Sequence, residues 1–172
     1  MLEYNSCRYH ISQISSANSV DIIRERKNKV NFSCGVSINN LSLNENDIGD
    51  FKTFLKLSPP LRTETDRNAL VQGLNDETID VIVSDHKPED EENKRLTFAQ
   101  AETGASGIET LLPLSLELYH NGSAELETII KALTSKPAEI LKINKGNLSI
   151  GNDADFCICL LYTSDAADEV LG

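Results

Sequence analysis

Short apolar runs alternate along this chain with segments in which apolar residues recur at helical spacing. Nearly unbroken apolar runs are typical of strands covered on both faces, and apolar residues three or four apart indicate amphipathic helices. The pattern predicts strands at about 9–14, 30–38 and 79–85, and helices at about 18–28, 65–74, 107–121, 123–135 and 136–143. Ser123 is expected to cap the fourth of these helices. A last apolar run after Gly151 predicts one more strand.

Each of the first three predicted strands is followed by a crossover, which indicates parallel βα units and an α/β fold. Three parallel strands with helices cannot close a barrel or protect their own edges. The pattern therefore predicts one part of a larger barrel.

The composition and net charge indicate which classes of partner the protein can bind. The 172 residues are 40% hydrophobic and 25% charged, as in globular domains, with a formal net charge of -11. This charge disfavours nucleic acid, which needs clustered Lys and Arg. No apolar run approaches the roughly 20 residues of a membrane span, and the N-terminus lacks a signal-peptide pattern. The sequence predicts a cytoplasmic protein that binds neither nucleic acid nor membrane.

Asp85 is the candidate catalytic or metal-binding residue because it ends the third predicted strand. In α/β barrels the active site lies at the carboxyl ends of the strands. A carboxylate there can ligate a divalent metal or act as a general base, whereas the alternative is that Asp85 only caps a turn. The charged segment 87–96, "KPEDEENKRL", either covers such a site or is a solvated connection.

Three stretches carry a family resemblance, namely "LSPPLRTETDRNALVQGLNDETIDVIVSDHKP", "GIETLLPL" and "TSKPAEILKINKGNLSIGNDADF". A proline pair with Leu-Arg, an Asp-His pair after a strand, Gly-x-Glu-Thr before a helix, and a Lys-Pro-Ala to Ala-Asp run follow in this order. Over residues 8 to 158 the chain resembles the C-terminal part of the dihydroorotases of the amidohydrolase superfamily, of the multifunctional-complex (class I) type.

The resemblance implies the C-terminal part of a (β/α)8 TIM-type barrel, with strands six to eight at 9–14, 32–37 and 81–85. Residues 1–148 would be the partial barrel, and 149–159 the start of a strand in a small β-sandwich built from both chain ends. The tail, residues 160–172, does not resemble the family; it looks like translated adapter sequence and is left out of the fold prediction.

The family's reaction is the reversible cyclisation of N-carbamoyl-L-aspartate to L-dihydroorotate, a metal-dependent step of pyrimidine synthesis that uses Zn²⁺. The resemblance implies that Asp85 is a metal ligand and the catalytic proton shuttle. It implies contact with the substrate for Ser58, Arg62, His86, Glu89 and Gly104, and places the remaining metal ligands upstream of Met1.

Several residues depart from the family's pattern. Gln13 stands where a strand-six histidine binds metal, and an amide oxygen is a poorer zinc ligand than imidazole. Glu89 stands where a histidine binds the substrate carboxylate, so it is expected to repel a dianion. Ser58 replaces an asparagine. Three hypotheses remain: part of a catalytic dihydroorotase that is inactive alone, a non-catalytic homologue that scaffolds aspartate transcarbamoylase, or an unrelated acidic α/β binding module.

Overall fold

Three short parallel strands form the centre of the structure. The computed structural model describes residues 7–153 and 155–159, and its strands are β1 (Tyr9–Ile11), β2 (Phe32–Ser37) and β3 (Val81–Val83). They lie side by side in chain order, with β2 between the other two. The predicted parallel βα units are therefore confirmed, although each strand is shorter than its apolar run.

Gly35 in β2 allows the strands to approach closely. It pairs with Val81 of β3. A Cβ atom at this position would lie 2.6 Å from the carbonyl oxygen of Ser12 and 2.9 Å from a methyl carbon of Val81, both too close. A side chain here would separate the sheet, which explains a glycine inside a strand.

Seven helices and two short 3₁₀ turns connect and cover the strands in the described part of the chain. The helices are α1 (Ala17–Arg26), α2 (Ile38–Ser42), α3 (Glu64–Asn75), α4 (Glu91–Lys94), α5 (Ile108–His120), α6 (Leu126–Leu133) and α7 (Ser135–Leu141). The 3₁₀ turns are Glu45–Ile48 and Thr53–Leu55.

One carboxylate joins the starts of two packed helices. Asp66 accepts a hydrogen bond from the backbone N–H of Ala17 (2.8 Å), at the start of α1. It also accepts one from the hydroxyl of Thr63 (2.6 Å), the residue that caps α3. The negative charge is favourable at both helix N-termini, and these bonds lower the pKa of Asp66 below its ordinary value.

The core lies between the sheet and helices α1, α2, α3, α5 and α6. Its fully buried large side chains are Ile38, Leu41, Leu70, Leu74, Ile129, Val20 and Val36. All of these residues except Leu41 come from the apolar runs and helical stripes that predicted the elements, and Leu41 lies in helix α2, which the sequence pattern did not predict. The pattern therefore located most of the core as well as the secondary structure.

Two predicted elements differ from the structure. The predicted helix at 123–135 begins only at Leu126, and the expected cap by Ser123 is wrong, because no side chain caps this helix. The described residues after Gly151 form no strand. A sandwich strand needs a partner from the other chain end, so the sandwich stays a prediction, and the tail 160–172 lies outside the described residues.

Candidate functional site

A cavity of about 230 Å³ opens beside the carboxyl end of β3. It is lined by Ser58, Asp85, Lys87, Thr103 and Gly104. Three of these, Ser58, Asp85 and Gly104, are residues for which a site role is predicted from the sequence. The structure therefore brings together side chains from the proline-containing connection, the end of β3 and the segment before α5.

Asp85 and Gln13 meet at this edge of the sheet. The side-chain nitrogen of Gln13 donates a hydrogen bond to Oδ1 of Asp85 over 2.7 Å, across the end of β2. The two side chains, which follow β1 and β3, therefore lie at the same edge of the sheet. An ionised carboxylate only accepts hydrogen bonds, so the amide presents its N–H to Asp85 rather than its oxygen.

The backbone at Asp85 is left-handed, with φ of 49°. Asp is one of the few residues other than glycine that tolerate this conformation. The reversal of the chain turns the side chain of Asp85 to the cavity just after β3. This local conformation could not be predicted from the apolar pattern.

His86 contacts the start of helix α5 and does not line the cavity. Its Nδ1 accepts a hydrogen bond from the backbone N–H of Gly107 (3.1 Å), and His86 pairs with Ala105 as an isolated β-bridge. The ring thereby replaces a conventional capping side chain. Its predicted contact with substrate stays a prediction.

The two glycines before α5 are required by close backbone approaches. A Cβ atom on Gly104 would lie 2.4 Å from the carbonyl oxygen of Lys87, and one on Gly107 would lie 2.1 Å from that of Ser84. The N–H of Gly104 donates to the carbonyl of Lys56 (2.9 Å). Since His86 takes the N–H of Gly107, both N–H groups already have partners within the chain.

Arg62 and Glu89 lie outside the cavity lining. The Nε of Arg62 donates to the hydroxyl of buried Ser15 over 2.9 Å, which fixes the direction of an otherwise exposed side chain. Glu89 forms an ion pair with Lys87, with 3.2 Å between the charged atoms. The expected repulsion by Glu89 is therefore offset by a cation that itself lines the cavity.

Three lysines hold residues 99–103, the segment that leads to the cavity-lining residues Thr103 and Gly104. We call Lys56, Lys87 and Lys94 the lysine clamp. Their Nζ atoms donate hydrogen bonds to main-chain carbonyls of this segment: Lys56 to Ala99 (3.0 Å) and Ala101 (2.6 Å), Lys87 to Thr103 (2.8 Å), and Lys94 to Glu102 (2.8 Å). The charged segment is thus packed at Lys94 rather than solvated throughout. Sequence reasoning missed the clamp.

No group of three or more His, Cys, Asp or Glu side chains that could hold a metal occurs within residues 7–153 and 155–159. A catalytic zinc usually takes three protein ligands and keeps one position open. Asp85 offers one carboxylate, and Gln13 directs its N–H at that carboxylate. These residues by themselves do not fit a zinc site.

The chain is similar to known hydrolases over almost all of its length. The model of the amidohydrolase family matches residues 3–170. The dihydroorotase of Ehrlichia canis (strain Jake) is 42% identical over 92% of the chain, and that of Anaplasma phagocytophilum (strain HZ) is 41% identical over 91%. The chain spans only 36% and 35% of these relatives.

Solved structures of a hydantoinase and a dihydropyrimidinase resemble the fold. The L-hydantoinase of Arthrobacter aurescens superposes with a TM-score of 0.82 at 28% identity, over 87% of this chain and 35% of that one. The dihydropyrimidinase of Brevibacillus agri gives 0.77 at 25% identity, over 85% and 34%. Together with the family match, these structures indicate a TIM-barrel-type fold.

Proposed function

The chain belongs to the amidohydrolase family, and we propose that it is the C-terminal part of a dihydroorotase. The single observation that carries the proposal is the position of Asp85, which lies just after β3 and lines a cavity together with Ser58 and Gly104. On this proposal β1, β2 and β3 are strands six to eight of the barrel. The protein would act in the cytoplasm, in pyrimidine biosynthesis.

Asp85 would move the proton in the reaction. Ring opening adds water to the amide carbonyl carbon of dihydroorotate and breaks the bond from this carbon to the ring nitrogen. The carboxylate of Asp85 takes the proton that the water loses and delivers it to the departing nitrogen, which gives N-carbamoyl-aspartate. Ring closure runs through the same transfers in reverse, so one carboxylate serves both directions.

Substrate recognition needs a cation because the substrate carries carboxylate. Lys87 supplies an ammonium group to the cavity lining, and Ser58 supplies a hydroxyl that can donate or accept a hydrogen bond. Arg62 lies outside the lining but keeps a fixed direction through Ser15. Arg62 is therefore proposed as a secondary contact to the carboxylate.

The family is generally metal-dependent, whereas the described residues alone do not fit zinc. Of the two residues, Asp85 is the stronger metal ligand, because the Gln13 amide turns its N–H group, and not its oxygen, towards Asp85. If the protein binds Zn²⁺, ligands outside the described residues must complete the site. The proton transfer assigned to Asp85 does not depend on this point.

A second candidate function is favoured by the contact between Gln13 and Asp85. The amide N–H occupies Oδ1 of Asp85 at 2.7 Å, where a cation would otherwise balance the carboxylate. This arrangement suits a non-catalytic dihydroorotase homologue that scaffolds aspartate transcarbamoylase. The third hypothesis, an unrelated acidic binding module, loses its support because the family match covers nearly the whole chain.

The test uses the full-length parent protein and the variant Asp85→Asn. Asparagine keeps the shape of the side chain and cannot take the proton, so dihydroorotate hydrolysis should fall by about 10²–10⁴-fold. The matched control is Asp21→Asn on the exposed face of helix α1, which should keep full activity. Undiminished hydrolysis in Asp85→Asn would overturn the role of Asp85. An inactive parent that still co-purifies with aspartate transcarbamoylase would instead establish the second function.

A further inference from the structure

Lys94 is the only charged residue that is buried in the described part of the chain, with 4% of its surface exposed. Its Nζ donates hydrogen bonds to the carbonyl oxygens of Thr53 (3.2 Å) and Glu102 (2.8 Å). The hydroxyl of Thr53 donates in return to the carbonyl of Lys94. A buried ammonium needs such bonds because it has lost water, so the two carbonyls determine where this side chain lies.

The two carbonyls belong to two segments that each lead to residues of the cavity lining. Thr53 begins the 3₁₀ turn that precedes Ser58, and Glu102 directly precedes Thr103 and Gly104. A single side chain therefore spans the two segments. Its ammonium group lies behind the cavity lining and contacts neither Ser58 nor Gly104 in the described hydrogen bonds.

Main-chain bonds join the segment of Glu102 both to the segment of Thr53 and to helix α4, which contains Lys94. The N–H of Gly104 donates to the carbonyl of Lys56 over 2.9 Å, and that of Glu102 donates to the carbonyl of Asn93 over 3.3 Å. Burial lowers the pKa of Lys94. The nearby carboxylates of Glu89 and Glu102 raise it, and the nearby ammonium groups of Lys87 and Lys56 lower it. The energetic cost of this burial indicates that the position of Lys94 is specific.

We propose that Lys94 is a positioning residue that holds the wall formed by Thr103 and Gly104 at a set distance from Ser58, and thereby determines which substrates the cavity admits. The identity of the substrate rests on the proposed function. The positioning itself rests only on the contacts of Lys94.

The experiment uses the full-length parent with the variants Lys94→Met and Lys94→Arg. Methionine keeps the length of the side chain without donors, whereas arginine keeps several donors. Lys94→Met should speed amide hydrogen exchange at Gly104 by about tenfold, because the wall loses a support on which its bond to Lys56 depends. The KM for dihydroorotate should rise by a larger factor than kcat falls, and Lys94→Arg should recover part of both changes.

The matched control is Lys131→Met, which removes an exposed lysine whose ion pair with Glu127 lies on the surface of α6. It should leave both readouts unchanged. If Lys94→Met does not fold, the test uses Lys94→Gln, which keeps one donor group. Faster amide exchange at Gly104 in this variant than in the parent supports the proposal.

Three outcomes separate the proposals. Unchanged exchange at Gly104 in Lys94→Met overturns the positioning role. Equal acceleration at Gly104 and in the core of α3, for example at Leu74, also overturns it, since the effect is then general destabilisation. Faster exchange confined to the wall in a parent that lacks dihydroorotate hydrolysis supports Lys94 as the positioning residue and refutes only the proposed reaction.

Discussion

At the residue scale, the hydrogen bond between Gln13 and Asp85 engages one oxygen of the carboxylate proposed as a metal ligand. In the full-length parent we expect Gln13→His to tighten zinc binding at least about tenfold, since outer contacts alone change metal affinity 10–100-fold. The imidazole adds a stronger donor, and removal of the amide frees Oδ1 of Asp85. Competition with a chelator measures the change.

The control for this substitution is His10→Gln. His10 contacts Ser33 (2.7 Å) and lines a different cavity, so its loss should leave zinc affinity unchanged. A Gln13→His parent that binds zinc no better than the starting protein would show that position 13 does not face the metal site.

Part of the candidate site could be predicted from single residues. Asp85 ends a predicted apolar strand, and the family resemblance places Gln13 near the end of the predicted strand 9–14. Because the carboxyl ends of parallel strands meet at one edge, the two observations together predict their proximity. The lysine clamp could not be predicted in this way. Lys94 lies in a run of charged residues, which is typical of a solvated segment, and its burial depends on carbonyls from segments that are distant in sequence.

At the element scale, the start of helix α3 carries a pH-dependent contribution to stability. Glu64 accepts hydrogen bonds from Arg67 and Asn44, and the bond from Arg67 is the main reason why its pKa falls from 4.5 to about 2. Because the folded pKa lies below the unfolded one, this contribution is complete above about pH 4.5. It is lost as the pH falls towards about 2.

The variant Glu64→Gln should therefore be less stable than the starting chain at pH 6, and the difference should shrink between pH 4.5 and 2.5. Urea unfolding midpoints at several pH values measure this difference. Glu25→Gln on α1 controls for the loss of one negative charge. A difference between Glu64→Gln and the starting chain that stays constant down to pH 2.5 would contradict the assignment.

Element boundaries were harder to predict than the elements themselves. The sequence predicts a break between residues 135 and 136, whereas the structure has it at Thr134, whose φ of -127° and ψ of -77° separate α6 from α7. Helix α5 was predicted closely because its apolar residues span most of its faces. Its start at Ile108 nevertheless depends on the hydrogen bond between His86 and Gly107, which the sequence pattern does not show.

At the scale of the whole molecule, the sheet is not closed within the described residues. β1 and β3 each have one neighbour, β2, so each leaves an edge without a strand partner there. Several large apolar side chains are also exposed, among them Phe51, Phe54 and Ile143. The chain spans 36% of the length of the Ehrlichia canis relative, in agreement with a barrel completed by other parts of a longer protein.

No helix in the described residues has both the length and the apolar content that a membrane crossing needs.

The isolated chain should therefore self-associate and show no hydrolysis of dihydroorotate. Unpaired strand edges and exposed apolar side chains bind other copies, and a single carboxylate with an amide partner cannot assemble a metal site. Sedimentation velocity over a range of concentrations should show species larger than a monomer, and co-expression with the upstream part of the parent should reduce them. Turnover by the purified chain that disappears in Asp85→Asn would show instead that the described residues are sufficient for catalysis.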